Sequence, residues 1–158
     1  MIANGIVLSK LIYLIQLWGS CNQYLLNTLQ KLQNRAARLV TRKNIYTPVR
    51  DLLKQCGWLS VKQLVVYHDL LLVYKTMSTK RPSHLFNKFS QSRGIRTRVT
   101  GTAGIMENGK INSEFGKKKF SYRAVKQWNE LPPSVRLSPT LSTFKLSIRK
   151  WITEKIPI

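Results

Sequence analysis

Carboxylates are what this chain has least of. Its 158 residues hold 6 Asp and Glu against 27 Lys and Arg, and the acids stand singly at positions 51, 69, 107, 114, 130 and 154. No two of them share the spacing of a general acid/base couple or a two-metal site. Cysteine and histidine are equally scarce. Cys21 and Cys56, with His68 and His84, lack the closely paired spacing that zinc ligands need. No metal and no cofactor is therefore expected. The cysteines read instead as reduced, partly buried thiols of an intracellular protein, nuclear or cytoplasmic. Glycines near 101–109 are scattered and open no helix, so they form no phosphate-cradling loop. His68 falls on the apolar face of a helix as a core histidine, and His84 follows Pro82-Ser83 as a turn or cap residue. This chain alone is not expected to be an enzyme.

Long apolar runs are also missing. The longest, Ile6 to Trp18, is interrupted by Lys10 and Gln16 and has no Lys or Arg before it. It is far short of the roughly 20 residues that span a bilayer, and it lacks the basic start of a secretory leader. It reads as a helix from Asn4 to Trp18 that is apolar on all sides and should be covered on both faces. Left uncovered, it would form a large apolar patch.

What the chain has is positive charge inside folded sequence. The net charge is +21, with pI near 10.6. Residues 1–30 carry +1, 31–81 carry +9, 82–126 carry +8 and 127–158 carry +3. Such a balance costs stability through self-repulsion and points to nucleic acid or an anionic surface. Because the basic segments also carry apolar periodicity and 43% of residues are hydrophobic, the chain reads as about one basic folded module, not a disordered arm.

One helix concentrates this pattern. After Asn22, a plausible N-cap, apolar Leu25, Leu29, Leu32, Ala36 and Leu39 recur at spacings of 4, 3, 4 and 3. Lys31, Arg35, Arg38 and Arg42 follow at 4, 3 and 4, and Lys43 comes next. The first stripe is expected to be buried and the second to lie beside it, facing a polyanion. No carboxylate precedes Asp51 to neutralise it.

The rest reads as mainly α and bundle-like. Thr47-Pro48 opens a short helix that Gly57 stops, and Ser60 caps a long one from Val61 to about Met77. Ser83 to Phe89 adds a turn or two. From Ser90 to Lys119 glycine, serine and threonine interrupt the periodicity and leave room for a short β-hairpin around 95–112. Ser121 caps a helix that Pro132-Pro133 ends, and a last helix starts near Thr140. A second basic cluster flanks the loop: Arg93, Arg96 and Arg98 before it, then Lys117, Lys118, Lys119 and Arg123 with Phe120 and Tyr122 interleaved. Cations alternating with aromatics suit single strands, whose bases stack on rings. Trp58 and Trp128 read as core anchors.

Leu32 to Val40 (LQNRAARLV), Leu52-Leu53, Trp58-Leu59-Ser60-Val61, Tyr74-Lys75, Pro82 and Leu85, then Phe120 to Ala124, Trp128 to Arg136 (WNELPPSVR) and Phe144-Lys145 resemble, in this order, the C-terminal end of LINE-type (non-LTR) retrotransposon reverse transcriptases. The resemblance runs from about Ser9 to Trp151. It implies thumb helices and the segment after them: residues 1–44 as a thumb-like helical hairpin, 45–90 as a helical segment, and 91–158 as a basic loop region followed by two helices. It implies RNA or an RNA–DNA hybrid as partner, gripped through the phosphate backbone by Lys31, Arg35, Arg38, Arg42 and Lys43, and by Arg96, Arg98, Lys117, Lys118, Lys119 and Arg123. The palm aspartates and the zinc knuckle of such polymerases have no counterpart here, as a truncated copy, a split frame or a gene-model fragment would leave it. The alternatives are a protein-interaction module, docking on a separate polymerase palm or self-associating, and a decayed copy without function. A membrane surface is not expected, because the first helix carries only Lys10 and lacks a basic face.

Overall fold

The computed structural model describes residues 4–90, 106 and 111–157. Among them the structure is helical throughout and contains no strand, so the mainly α, bundle-like class read from the sequence is the class observed. The hairpin expected around 95–112 lies almost wholly outside the described residues.

A π-helical turn at Asn4–Leu8 leads into α1 (Ser9–Ile12), α2 (Ile15–Trp18), α3 (Gln23–Thr41), α4 (Val49–Cys56), α5 (Val61–Thr79), α6 (Ser83–Ser90), α7 (Glu114–Lys118), α8 (Phe120–Asn129), α9 (Pro133–Arg136) and α10 (Leu141–Lys155). Compact packing divides the chain within α5, between His68 and Asp69, and again within α10, between Trp151 and Ile152. One unit comprises 1–68 with 152–158, the other 69–151.

In the first unit the expected first helix is broken. Leu14 takes a left-handed conformation (φ 49°) that separates α1 from α2. Ile15 is buried, while Ile6, Tyr13, Leu14 and Leu17 are exposed. The single helix expected from Asn4 to Trp18 is thus corrected to shorter turns, and the large apolar side chains left exposed on it form the patch expected of an incompletely covered segment. Ile15 packs with Leu59, Leu64 and Val65, joined by Leu8, Leu11, Trp18 and Tyr67. Gly19 allows the approach, since a Cβ there would stand 2.8 Å from Val65 Cγ1.

α3 begins where expected, with Asn22 Oδ1 accepting from the Tyr24 N–H at 3.1 Å. α4 ends at Gly57, whose φ of 67° suits a residue without Cβ, and the Trp58 N–H closes on the Leu53 carbonyl at 2.8 Å. Against α4, α3 contributes Ala37 to a core of Leu52, Leu53, Cys56 and Trp58, with Ala36, Val40 and Val49 at its margin.

The α3 face differs from the expectation. Leu25, Leu32 and Leu39 are 51%, 54% and 81% exposed, whereas Gln33 is 1% exposed and Ala37 is fully buried. The inward stripe centres on Gln30, Gln33 and Ala37; of the expected residues, Leu29 and Ala36 are half-buried at its margin and Leu25, Leu32 and Leu39 face outward. Hydrogen bonds decide it. Gln33 Nε2 donates to the Leu59 carbonyl at 2.8 Å, and Gln30 Oε1 accepts from the Val61 N–H at 2.8 Å. Gln30 Nε2 in turn donates to Gln33 Oε1 at 2.9 Å and Asn34 Oδ1 at 2.8 Å. Val61 is the first residue of α5, whose opening N–H groups have no partner within the helix. Ser60 and Gln63 complete that end as a reciprocal capping box, with the Ser60 N–H donating to Gln63 Oε1 at 3.0 Å and the Gln63 N–H to Ser60 Oγ at 3.4 Å. Gln63 Nε2 then reaches the Ile156 carbonyl at 2.7 Å.

In the second unit the aromatic residues of α5, α8 and α10 meet. Tyr74 stacks on Phe144 at 4.2 Å and donates its hydroxyl to the Ser138 carbonyl at 2.9 Å. Trp128 lies against the same Phe144, and Phe144 and Ile148 are fully buried. Trp58 and Trp128 are both core residues, as read from the sequence. Asn129 clamps the Met106 backbone with both ends of its amide, at 2.9 and 2.6 Å. Two short helices were not foreseen: α7, capped by Ser113 Oγ on the Gly116 N–H, and α9, which Pro133 opens rather than prevents.

The glutamine tie makes a direct prediction. Gln33→Leu raises hydrophobicity at a buried site yet strands the Leu59 carbonyl and half of Gln30's amide. Stability should fall by about 1–3 kcal/mol, read as a lower urea midpoint with an unchanged slope.

Candidate nucleic-acid interface

α3 carries three faces because its tie to α5 fixes its rotation. Gln30, Gln33 and Ala37 point inward. Leu25, Leu32 and Leu39, at seven-residue intervals, form an outward row that drifts only about 20° per step. Lys31, Arg35, Arg38 and Arg42 form another row about 90° further round. From Lys31 to Arg42 that row rises about 16 Å, the axial run of about five phosphates of one strand.

The members of the cationic row are not equivalent. Lys31, Arg35, Arg42 and the adjacent Lys43 are exposed, and among the described residues none of their side chains pairs with a carboxylate. Arg38 is half-buried. Its Nη2 lies 3.4 Å from the Ile45 carbonyl, and its Nε is enclosed without a hydrogen-bond partner. It braces the turn after α3 while holding its place in the row.

Arg42 stands where glycine is the usual choice. It closes α3 in the left-handed region, φ 52° and ψ 35°, and the Lys43 N–H reaches back to the Arg38 carbonyl at 3.3 Å. A side chain in this conformation costs about 1–2 kcal/mol relative to the right-handed region, a cost glycine escapes. A cation is kept at that cost.

The second cluster is divided. Arg96 and Arg98 lie outside the described residues. Lys117, Lys118 and Lys119 are exposed at the end of α7. Lys117 forms an ion pair with Glu114 at 2.6 Å, which holds the Glu114 carboxyl below and the Lys117 ammonium above their ordinary ranges. Arg123 belongs to the fold. Its Nε and Nη2 donate to Asp69 at 2.7 and 3.2 Å, with the Asp69 side chain wholly buried. Burial pushes the Asp69 carboxyl up from its usual 3.8 to about 6, and the Arg123 guanidinium pulls it part of the way back. Phe120 meets Phe89 edge-on at 6.2 Å, which gives that ring a packing role.

Sequence reading missed the inward glutamines. Their signal was the uncharged side of α3, where Gln30, Gln33, Asn34, Ala37 and Thr41 share a face with Leu26 alone among large apolar residues. It also missed Arg136, a buried cation of α9 whose Nε and Nη1 have no hydrogen-bond partner and whose ionisation burial disfavours.

Among the described residues no group of three or more His, Cys, Asp or Glu gathers that could hold a metal ion. No helix among them is long and apolar enough to cross a membrane. Cys56 is buried and Cys21 half-buried, both free, and burial pushes the Cys56 thiol up. Comparison with protein-family models, with curated proteins and with solved structures finds no match to this chain.

Two predictions follow from these side chains. Between pH 4 and 6 the folded state keeps a proton on Asp69 that the unfolded chain has lost. Stability on this account is full below pH 4 and falls as pH rises through 6, by up to about 3 kcal/mol. Urea midpoints across that range should show the decline, and Asp69→Asn should flatten it. Separately, Arg42→Gly should raise stability by about 1 kcal/mol while lowering affinity for a polyanion, because it removes strain and a cation together.

Proposed function

We propose that this chain is a nucleic-acid-binding module that grips the phosphate backbone of RNA or an RNA–DNA hybrid through the cationic row of α3. The carrying observation is the set Lys31, Arg35, Arg42 and Lys43, exposed along one helix face and its end, with no ion pair to a carboxylate among the described residues. Half-buried Arg38 stands in the same row. Ordered cations spaced along a helix meet successive phosphates, and such contacts position a strand without reading its sequence. Arginine suits the role because its planar fork binds phosphate oxygens in pairs.

The resemblance to the thumb region of non-LTR retrotransposon reverse transcriptases supports the same partner. On this reading the chain is the part of a polymerase that holds template and primer. It does no chemistry by itself, since the palm aspartates are absent from its sequence. Its work would then lie in the nucleus or cytoplasm. Lys117, Lys118 and Lys119 form a second contact with nucleic acid, while Arg123 serves the fold.

The test is binding of the full chain to labelled RNA, an RNA–DNA hybrid and anionic vesicles across a salt series. Each phosphate contact contributes a slope of roughly −0.7 to −0.9 in log K against log salt. Changing Arg35, Arg38 and Arg42 together to Gln should make the slope shallower by about 2–3. An unchanged slope, or vesicle binding as tight as RNA binding, would defeat the proposal.

A further inference from the structure

The row Leu25, Leu32 and Leu39 is not used by the phosphate grip. These are large apolar side chains, each more than half exposed, on a helix whose fully buried residues are Gln33 and Ala37. That orientation is held by two hydrogen bonds to the start of α5, from Gln33 Nε2 to the Leu59 carbonyl and from the Val61 N–H to Gln30 Oε1, each 2.8 Å, so the leucines cannot roll inward without breaking them. Three leucines at seven-residue spacing cover about 21 Å of one helix side. The heptad repeat is the pattern by which one helix receives another, each knob entering a hole of the facing helix.

Charge selects the occupant. Residues 1–68 hold nine Lys and Arg against the single acid Asp51, and the exposed cations of α3 border the leucine row. A second copy would bring its own cations against these. An acidic helix would lay carboxylates beside them, as charged flanks do in paired helices. We infer that the leucine row of α3 is a docking surface for an acidic amphipathic helix of a partner protein, with leucine-like residues at heptad spacing and Asp or Glu along its flanks. The docking surface itself is the uncharged leucine row, which the phosphate grip does not use, whereas the choice of an acidic occupant draws on the same α3 cations as the nucleic-acid reading.

The test uses the full chain and a labelled 21-residue peptide with Leu at heptad-spaced positions and Glu on the flanks. A second peptide replaces its Leu with Ser. Binding is followed by fluorescence anisotropy and by the gain in peptide helicity, at 0.5 M salt to screen diffuse attraction. The Leu peptide should bind at least tenfold tighter than the Ser peptide. Leu25→Gln, Leu32→Gln and Leu39→Gln together should weaken it at least tenfold, with the chain's own circular dichroism unchanged. Leu32→Gln alone should show part of that loss. Equal binding of the two peptides would overturn the inference, as would no binding. Self-association in sedimentation that the Gln variant abolishes would assign the row to a second copy. A matching loss of RNA affinity in the Gln variant would assign it to nucleic acid. Either result overturns the proposal.

Discussion

Two glutamine side chains set the orientation on which the surface of this protein depends. Gln30 and Gln33 bond to the backbone of residues 59 and 61 at the start of α5. Helix starts leave backbone donors unpaired, and a buried start without partners would cost a few kcal/mol. Here a neighbouring helix supplies part of the cap. Placing amides on the inward side of α3 satisfies α5 and turns Leu25, Leu32 and Leu39 outward. The continuation through Gln63 to the Ile156 carbonyl joins three separate stretches of chain by buried amides. Such a tie specifies one rotation more sharply than apolar packing, because both bonds to residues 59 and 61 are lost if α3 turns.

This explains which parts of the fold could be read in advance. Helix starts and stops are local chemistry, so Asn22, Ser60 and Gly57 act where the sequence placed them. The long α5 was legible for the same reason. The inward face of α3 was not, because periodicity asks only which side is apolar. It cannot see that a glutamine three residues from another will find orphan backbone groups 26 and 31 residues away. Arg123, read with Lys117, Lys118 and Lys119 as a nucleic-acid contact, has a packing partner that was hidden on similar grounds. Nothing near it in sequence signals that Asp69, 54 residues earlier, will bury its carboxylate against that guanidinium.

The few acids extend the point. Asp69 is consumed inside the second unit by Arg123, and Glu114 is taken locally by Lys117. A chain this poor in carboxylates cannot compensate its cations within each unit, and those of α3 are left facing solvent. The uncompensated charge is therefore a property of particular side chains, not a diffuse excess. It also bears on the leucine row: an apolar surface bordered by cations is guarded against another copy of itself, yet open to a surface of opposite charge.

A plainer account of the cations is that they complement the negative end of the α3 macrodipole. That account has a range. The dipole acts within about the last turn of a helix and contributes roughly 0.3–1 kcal/mol per charge at the surface. Arg38 stands in the last turn of α3, with Arg42 and Lys43 just beyond it, so all three fall within that reach. Arg35 lies six residues before the end at Thr41, and Lys31 ten. Both are exposed and continue the same row. Nor does the dipole explain an arginine in the left-handed position of Arg42, since a glycine there with Arg38 and Lys43 retained would give up little dipole energy and avoid the strain. The polyanion proposed as partner, lying along the helix, would account for both the length of the row and the residue at its end.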